Sequence, residues 1–585
     1  MTLLVLDASP GAVVEVAGDF PVHGGLPDFR RPLRLKEEQP GHFRIALDLA
    51  PGVYRYKFLV DGAWTLDAHG ARVDECEGVT NNVLVVDGTA EPVRFAPDRR
   101  HAVRVDDRVL ARLESDAVSP PPRVALASMP LAVREVLRRG GRALYDVDAN
   151  VHGSKDAALL VDGARFPLVT RATSEAPPAW LEGAVIYGVL IDRWRRGSGS
   201  PSERRMLART TPSTPHCFYG GDLDGVREHL SYIRDLGATA VALTPVQHSD
   251  SPHRYDGIDP LAVDERLGGA RALDALVDAG DKLGLKLIVD ASLTHVHEKH
   301  AAFQDLLARQ SASPFASWFR VQQFPVRARD PSTVGLYYNV KSLVWLDLDG
   351  PAREHAMQAA LSLLNRGVHG LRLDAMNNAP ARFWRELRAR VRTHHPHALL
   401  LGELVTDDLA SVAEERGCDV VTDFRMRDAL VAFARSHDAR AFVDAWTFAR
   451  HRTGAFHASF RLGFLDNHDT ARFLSLVKDE RKLRVALAIL LFAEETAWIT
   501  YGTEAHLAAY TGERVLDASW PERIAMPEPG LVDTATLTLI REACARRRAL
   551  RGALSVLESD GARLVLARGD CTLTVDMRDG EPIYA

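Results

Sequence analysis

HGLRLDA, residues 369–375, is an apolar, strand-like run that contains an arginine and ends in a carboxylate. Two later runs have the same form, and their acidic residues are Glu403 in ALLLGELV and Asp469 in LGFLDNHDTAR. Side chains alternate along a strand, so Arg372 and Asp374 face the same side. Three acidic residues that follow apolar runs predict one shared cleft at the carboxyl ends of parallel strands.

Strand-like and helix-like segments alternate from residue 183 onward, and amphipathic stretches such as DGVREHLSYIRDLG separate the apolar runs. The runs with strand character are AVIYGVLI, ATAVALTPV, LKLIVDASL, HGLRLDA, ALLLGEL, CDVVTDF, SFRLGFLDN and AWITYG. This alternation predicts a parallel sheet with helical crossovers, and eight strands predict a closed (β/α)₈, or TIM, barrel.

Other regions flank the barrel. Short alternating segments such as HFRIALDL and YRYKFLV, with turn signals between them, predict antiparallel β-structure before residue 180. The interval between the third and fourth strand candidates is too long for one loop and helix, which predicts an inserted subdomain at about 297–347. We therefore expect a multidomain α/β chain with a β-sandwich at 1–90, a second β-rich domain at 91–178, the barrel at 179–510, and a helix with a short β-domain at 511–585.

Composition narrows the classes of partner. A length of 585 residues exceeds what one hydrophobic core usually supports, and a net charge of -6 argues against nucleic acid as the main partner. The five cysteines are scattered without C-x-x-C spacing, so neither a disulfide framework nor a zinc site is expected. MTLLVLDASP lacks a signal-like start, and VALAILLFA is too short to span a bilayer. We expect a cytoplasmic protein with no membrane partner.

A pair of carboxyl groups is what cleavage of a glycosidic bond with retained configuration requires, one as nucleophile and one as acid, about 5–5.5 Å apart. Asp374 and Glu403 can form this pair, and the neighbouring guanidinium of Arg372 favours an ionised Asp374. Glu403 needs a raised pKa, which burial or charge repulsion can provide. Asp469, with His468 beside it, can hold sugar hydroxyls in the transition state. These residues predict a glycosidase.

The motifs around these residues resemble the conserved regions of the α-amylase family, glycoside hydrolase family 13, and they occur in the family's order. The matching stretches are DASLTH at 290–295, GLRLDAMNN at 370–378, GELV at 402–405 and FLDNHD at 464–469. HRYDGIDPLAVDERLGG resembles the family's Tyr-Asp loop after the second strand. HAAFQDLLARQSASPFASWF resembles the inserted subdomain of neopullulanase and maltogenic amylase members, so the chain is similar to the neopullulanase, maltogenic amylase and cyclomaltodextrinase group. The resemblance covers roughly 183–550. It implies a retaining enzyme that cleaves α-1,4 linkages in maltooligosaccharides, cyclodextrins or related α-glucans, and it allows α-1,6 cleavage and transglycosylation.

The resemblance also implies a role for each matching residue. Asp374 corresponds to the nucleophile, Glu403 to the acid/base and Asp469 to the residue that stabilises the transition state. Contacts to the substrate are implied for Arg372, His295, His468, Tyr255, Asp256 and Asn377.

Near the amino terminus, YRYKFLVDGAWTLD and GVTNNVLVV resemble the starch- or glycogen-binding module of carbohydrate-binding family 48. The resemblance implies that glucan contacts Lys57, Trp64 and either Asn81 or Asn82, with Trp64 stacking on a sugar. The alternative is a docking domain that packs against the barrel or a second subunit. Family members with an extra amino-terminal β-domain often pair through it, so a homodimer also fits.

Three departures from the family pattern keep alternatives open. Thr294 stands where the family usually has an asparagine that binds or supports calcium, so we expect no metal site. The chain has no GxGxxG after a strand and no Walker pattern, so we expect no nucleotide cofactor. Asn378 replaces a glutamate on the acceptor side, which leaves open a glucanosyltransferase or isomerase, such as a branching, maltosyl-transferring or trehalose-forming enzyme. Thr503, in TYGTE, replaces an aspartate. Thr294 and Thr503 together leave open a non-catalytic, glucan-binding scaffold.

Overall fold

A computed structural model gives the fold of the chain. It describes every residue except 1, 19, 21–31, 50–51, 68–70, 75–79, 87–92, 96–101, 106, 117–118, 140–141, 153, 155–157, 172–176, 200–216, 406–415, 453–460, 510–521, 528–531, 533 and 579. The chain divides into two compact units. The first unit is Met1–Glu175 with Asp407–Val412 and Thr447–Phe456, and the second is Ala176–Thr406 with Ala413–Trp446 and His457–Ala585.

The first unit consists mainly of antiparallel β-strands. In chain order they are β1 (Thr2–Asp7), β2 (Val14–Gly18), β3 (Leu33–Arg34), β4 (Lys36–Gln39), β5 (His42–Leu47), β6 (Gly52–Val60), β7 (Ala63–Thr65), β8 (Ala71–Asp74), β9 (Thr80–Val86), β10 (Val93–Phe95), β11 (Ala102–Val105), β12 (Arg108–Asp116), β13 (Val124–Leu126), β14 (Met129–Leu131), β15 (Val133–Arg139), β16 (Arg142–Asn150), β17 (Ala158–Val161), β18 (Ala164–Pro167) and β19 (Val169–Arg171).

Within the described residues, these strands pair in four sheets. The strand orders are β1-β5-β4, β3-β2-β6-β9-β8 with β7 on β6, β15-β16-β12-β11-β19 with β10 on β12, and β14-β13-β17-β18. Alternate side chains point inward, so Val14, Val16 and Phe58 lie in one buried cluster and Leu113 and Tyr145 lie in another.

Beyond β19, the described residues form sixteen further strands and eleven α-helices, and all of them belong to the second unit except residues 447–452 at the end of one helix. The strands are β20 (Val185–Val189), β21 (Ala240–Leu243), β22 (Gln247–Ser249), β23 (Gly257–Val263), β24 (Lys286–Ala291), β25 (His295–His297), β26 (Leu343–Trp345), β27 (Gly370–Leu373), β28 (Leu399–Gly402), β29 (Val420–Thr422), β30 (Arg461–Phe464), β31 (Thr496–Thr500), β32 (Leu554–Asp560), β33 (Arg563–Arg568), β34 (Cys571–Asp576) and β35 (Ile583–Tyr584). The helices are α1 (Leu223–Glu228), α2 (Leu230–Asp235), α3 (Gly269–Leu283), α4 (Ala301–Arg309), α5 (Ala352–Leu364), α6 (Ala381–His394), α7 (Phe424–Ser436), α8 (Ala439–Arg452), α9 (Phe473–Val477), α10 (Glu480–Phe492) and α11 (Thr534–Ala549).

Eight parallel strands close a barrel in the order β20-β21-β24-β27-β28-β29-β30-β31, which confirms the predicted fold class. Strands of this barrel are buried on both faces. Ile186, Ile288 and Leu401 fill the interior, whereas Tyr187 and Val289 belong to the core outside the barrel wall. This two-sided burial explains why the sequence shows continuous apolar runs instead of alternation.

One glycine shows how tightly the interior is filled. The Trp498 side chain on β31 packs against the backbone of β20, and a Cβ added to Gly188 would lie 2.1 Å from a carbon of that indole. A barrel interior filled by side chains to this density is a core and not a channel, so the functional surface must lie at an end of the barrel.

The segment between β24 and β27 carries β25, α4 and β26 before α5 returns to the barrel. β25 and β26 pair antiparallel, with His295 opposite Trp345. The chain ends in the antiparallel sheet β32-β33-β34-β35. Within the described part of the chain, no helix combines the length and apolar character needed to cross a membrane.

A buried ionic cluster ties three successive barrel strands together. The Arg461 guanidinium on β30 donates to Asp423, which follows β29, at 3.1 Å and to Glu495, which precedes β31. The two carboxylate side chains are fully buried. Removing the arginine would leave both carboxylates without their shared counter-charge in a dry environment.

Arg461→Met should therefore lower the free energy of unfolding by about 3–5 kcal/mol, because a buried ionic cluster that loses one partner is strongly destabilised. Arg309→Met is the matched control, since the Arg309 side chain is 55% exposed and pairs with Asp305 at the surface, and we expect a loss below about 1 kcal/mol. Urea unfolding followed by tryptophan fluorescence measures both. Equal losses in the two variants would contradict the assignment.

Candidate active site

The site lies at the carboxyl ends of the barrel strands, directly above the side chains that fill the interior. On β28, Leu399 and Leu401 point into the interior, and Glu403 continues that side one step beyond the end of the strand. On β27, Arg372 and the following Asp374 have the same two-residue spacing. On these two strands, the side chains that face the barrel interior thus change from apolar to charged near the carboxyl end.

Arg372 is the centre of the site. Its Nη1 lies 2.7 Å from Asp290 Oδ2 and 3.0 Å from Asp374 Oδ1, and its Nη2 lies 2.6 Å from Glu403 Oε1. Strand register explains the first contact, because Asp290 on β24 is directly opposite Arg372. The backbone N–H of Ala375 donates to the other oxygen of Glu403 at 3.0 Å. Two of the three sequence-predicted acids therefore share one guanidinium.

Asp469, the third acid, lies among a histidine and a second arginine. His468 Nε2 is 2.9 Å from Asp469 Oδ2 and 2.8 Å from the hydroxyl of Tyr255. The Tyr255 ring stacks on the His468 ring at 5.5 Å, and its hydroxyl donates to Asp290 at 2.6 Å. Tyr255 thus links the surroundings of Asp469 to the Arg372 cluster.

Arg523 is a site residue that the sequence reasoning missed. Its Nη2 donates to Asp469 Oδ1 at 2.6 Å and its Nε donates to the His468 carbonyl at 2.7 Å. The side chain is almost fully buried. Arg523 follows the last barrel strand by more than twenty residues, and no local pattern in PERIAM indicated that it returns to the cleft.

Burial and charge set the protonation states. Burial and the neighbouring Glu403 carboxylate raise the pKa of Asp374 well above its ordinary value, and Arg372 opposes this shift without cancelling it. The prediction that Arg372 would favour an ionised Asp374 therefore names a real influence, but burial and Glu403 outweigh it. Burial also raises the pKa of Asp290, to about 6, against the influence of Arg372. Three buried carboxyl groups share the single guanidinium of Arg372. One positive charge does not balance three negative charges, so the cluster retains a proton near neutral pH.

Asp469 shifts in the opposite direction. Burial would raise its pKa, but His468, Arg523 and Arg372 together lower the pKa of Asp469 well below its ordinary value. Asp469 therefore stays ionised beside the Asp374 carboxyl, whose pKa is raised. The cleft thus combines a carboxyl group with a raised pKa and a carboxylate with a lowered one.

The inserted segment contributes a pair of packed aromatic rings near the catalytic carboxyl groups. The Tyr337 ring lies 3.8 Å, centroid to centroid, from the ring of His295, whose pKa burial lowers to about 4. Burial raises the pKa of Tyr337, and the carboxylates of Asp374 and Glu403 raise it further, so a neutral phenol lies within their electrostatic reach. Tyr337 is a second site residue that was not predicted.

The remaining sequence-predicted contacts have other partners. Asp256 Oδ1 accepts hydrogen bonds from the hydroxyls of Ser249 and Ser251, so its carboxylate holds its own loop together. Asn377 donates its side-chain amide to the carbonyl of Val405 at 3.4 Å, beside Glu403. Among the described residues, no group of three or more His, Cys, Asp or Glu side chains is arranged to hold a metal ion.

The predicted glucan contacts of the first unit differ in exposure. Trp64 on β7 exposes 52% of its surface, and Lys57 on the neighbouring strand is partly exposed. Asn81 and Asn82 are both buried. The Asn82 side chain accepts from Asp67 N at 2.7 Å and donates to Asp67 O at 2.9 Å, which anchors the hairpin behind Trp64.

Comparison with known proteins connects this geometry to a family. The family model described as "Alpha amylase, catalytic domain" matches residues 188–563, and the model described as "Glycogen recognition site of AMP-activated protein kinase" matches residues 9–91. A neopullulanase 2 from Thermoactinomyces vulgaris is 31% identical over 378 residues, which cover 63% of this chain and 64% of that protein. The chain thus matches less than two thirds of the relative's length.

Two further relatives support the same family assignment. An intracellular maltogenic amylase from Bacillus subtilis is 26% identical over 351 residues, 58% of each chain. The ligand-free structure of a cyclic α-maltosyl-(1→6)-maltose hydrolase from Arthrobacter globiformis has a TM-score of 0.63 and 26% identity, covering 70% of this chain and 97% of that one. The first family model spans well over half of the chain. The chain belongs to the α-amylase family, glycoside hydrolase family 13, and carries a glycogen-binding-like module at its amino terminus.

Proposed function

We propose that the protein is a retaining glycoside hydrolase that cleaves α-1,4 linkages in maltooligosaccharides, cyclodextrins or related α-glucans, accepts α-1,6 linkages and transfers sugar units to other sugars. The observation that carries the proposal is that Asp374 and Glu403 contact the two Nη atoms of one buried guanidinium. The names of the neopullulanase and maltogenic amylase relatives support the substrate class.

In the first step, the Asp374 carboxylate attacks the anomeric carbon while Glu403 donates a proton to the departing glycosidic oxygen. The carbon–oxygen bond to the leaving sugar breaks and an ester to Asp374 forms. This assignment requires Asp374 to be ionised and Glu403 to carry the transferable proton once substrate is bound. Positive charge develops on the sugar ring, and the permanently ionised Asp469 lies close enough to stabilise it.

In the second step, Glu403 accepts a proton from water, and the resulting hydroxide attacks the anomeric carbon and releases Asp374. A sugar hydroxyl in the position of that water gives transfer instead of hydrolysis. The stacked rings of Tyr255 and His468, and the packed rings of His295 and Tyr337, offer apolar surface to the sugar.

We further propose that Trp64 binds glucan, with support from the match to a glycogen-recognition model and from the exposure of its indole. The cytoplasmic location and the homodimer stay predictions, and the name of the intracellular Bacillus subtilis relative supports the first of them.

Azide rescue distinguishes the roles of the two carboxyl groups. Asp374→Ala should lower kcat on maltosyl fluoride by about 10⁴-fold or more, because the covalent step loses its nucleophile. Azide that fills the vacated space attacks from the β-face and should restore turnover as the β-maltosyl azide. In Glu403→Ala, azide attacks the covalent intermediate and should give the α-azide. NMR of the product identifies the anomer. Asp250→Asn, at a partly exposed position, is the control. If Asp374→Ala gave the α-azide and Glu403→Ala the β-azide, the two roles would be reversed.

Arg523→Met should raise the pKa of Asp469 by about one unit or more, because it removes one of the cations that depress that pKa. The sign follows from that depression: the ionised form of Asp469 now persists far into acid, and in the variant it is lost as the pH falls through a higher pKa. Carboxyl-carbon NMR of protein with labelled aspartate, recorded over a pH series, measures the pKa. Arg523→Lys keeps the charge and should keep the depressed pKa, whereas an unchanged pKa of Asp469 in Arg523→Met would refute the proposed influence.

Trp64→Ala should weaken binding to glycogen by about tenfold, the loss expected when an exposed aromatic platform is removed. Leu3→Ala removes another exposed apolar side chain of the first unit and is the matched control. Retardation in glycogen-containing native gels measures both variants. Equal retardation of Trp64→Ala and Leu3→Ala would show that Trp64 does not bind glucan.

A further inference from the structure

Tyr338 occupies a costly backbone conformation at the mouth of the site. Its φ is 45° and its ψ is 35°, in the left-handed region that residues other than glycine seldom adopt. The side chain is 63% exposed although it carries a large aromatic ring. Local strain of this kind persists only where surrounding contacts hold it in place, and it is concentrated at functional sites.

Asn378 provides one of the contacts that hold Tyr338. The Tyr338 hydroxyl donates to Asn378 Oδ1 at 3.0 Å, and Asn378 Nδ2 donates to the Tyr337 hydroxyl at 3.3 Å. The two tyrosine rings meet edge to face at 4.7 Å. Asn378 is itself buried, so its side-chain amide is held in one position and anchors the inserted segment to the barrel through these hydrogen bonds.

The position of Asn378 indicates which sugar this arrangement serves. The segment that follows Asp374 runs beside Glu403: Ala375 N–H donates to the Glu403 carboxylate, and Asn377 donates to the carbonyl of Val405. Glu403 is the proposed acid, so the oxygen that it protonates belongs to the leaving sugar. A group fastened to this segment lies on the leaving-group side of the scissile bond.

The two adjacent tyrosines face different surroundings. Tyr337 packs on His295 and lies within reach of the catalytic carboxylates, whereas Tyr338 exposes its ring to solvent. We propose that Tyr338 is a stacking platform for the sugar on the leaving-group side, and that Asn378 is the positioning residue that holds this platform. The inference rests on the proposed function. It assigns to Tyr338 the binding of the leaving sugar in cleavage and of the incoming sugar in transfer.

Two donors that differ only in their leaving group test the platform. Maltotriose releases glucose, whereas α-maltosyl fluoride releases fluoride and leaves the leaving-group side empty. Tyr338→Ala should lower kcat/KM for maltotriose about tenfold more than kcat/KM for the fluoride. Tyr338→Phe keeps the ring but loses the bond to Asn378, and its relative loss should be smaller. The concentration of glucose that half-saturates transfer from maltosyl fluoride should rise in the same order.

Val340→Ala removes another exposed side chain from the same segment and should leave the ratio of the two constants as it is in the unmodified enzyme. Equal losses on both donors in Tyr338→Ala, or no loss on either, would overturn the platform while the proposed function stands. If the unmodified protein turns over neither donor, the proposed function fails, and the platform fails with it. Circular dichroism verifies that each variant is folded.

Discussion

The guanidinium of Arg372 lies between three carboxylates at the mouth of the barrel, and the geometry of the cleft follows from that arrangement. Buried carboxylates that all contact one guanidinium lie close enough to repel one another, and the shared cation offsets that repulsion. Arginine suits the position because its planar, forked group reaches Asp290 and Asp374 from one nitrogen and Glu403 from the other. The contacts depend on register, since a slip by one residue would turn Arg372 from the interior to the helix-covered face.

The charge balance of this cluster also prepares its chemistry. One cation cannot neutralise Asp290, Asp374 and Glu403, so burial and mutual repulsion retain a proton in the cluster, as the raised pKa of Asp374 shows. Arg523 and His468 give the neighbouring Asp469 the opposite character. Two arginines on different elements therefore divide the cleft into a region that holds a proton and a region that holds a negative charge. An apolar site with the same carboxyl groups would lack this division.

The barrel and the acids were predictable because both depend on short-range periodicity. Alternation with a period of two places Arg372 and Asp374 on one side, and the apolar runs that precede Glu403 and Asp469 mark strand ends. Arg523 and Tyr337 were not predictable in this way, since each reaches the cleft through a long loop whose path depends on tertiary packing. Tertiary packing also gives Asn82 a contact that its sequence context did not indicate. That context predicts a glucan contact for Asn81 or Asn82, and in the structure the Asn82 amide also bonds the Asp67 backbone.

The departures from the family pattern affect supporting positions and not the reacting carboxyl groups. Thr294 places its hydroxyl 3.1 Å from His295 Nδ1, so it still orients that ring. Thr503 donates its hydroxyl to the carbonyl of Thr500, and the adjacent Glu504 accepts hydrogen bonds from Tyr187 and Tyr232, away from the cleft. A scaffold that had lost its chemistry would have no physical need for the Arg372 cluster, which costs desolvation of several charges. The substitutions are compensated locally while the costly cluster is intact, and that combination favours an enzyme over a binding scaffold.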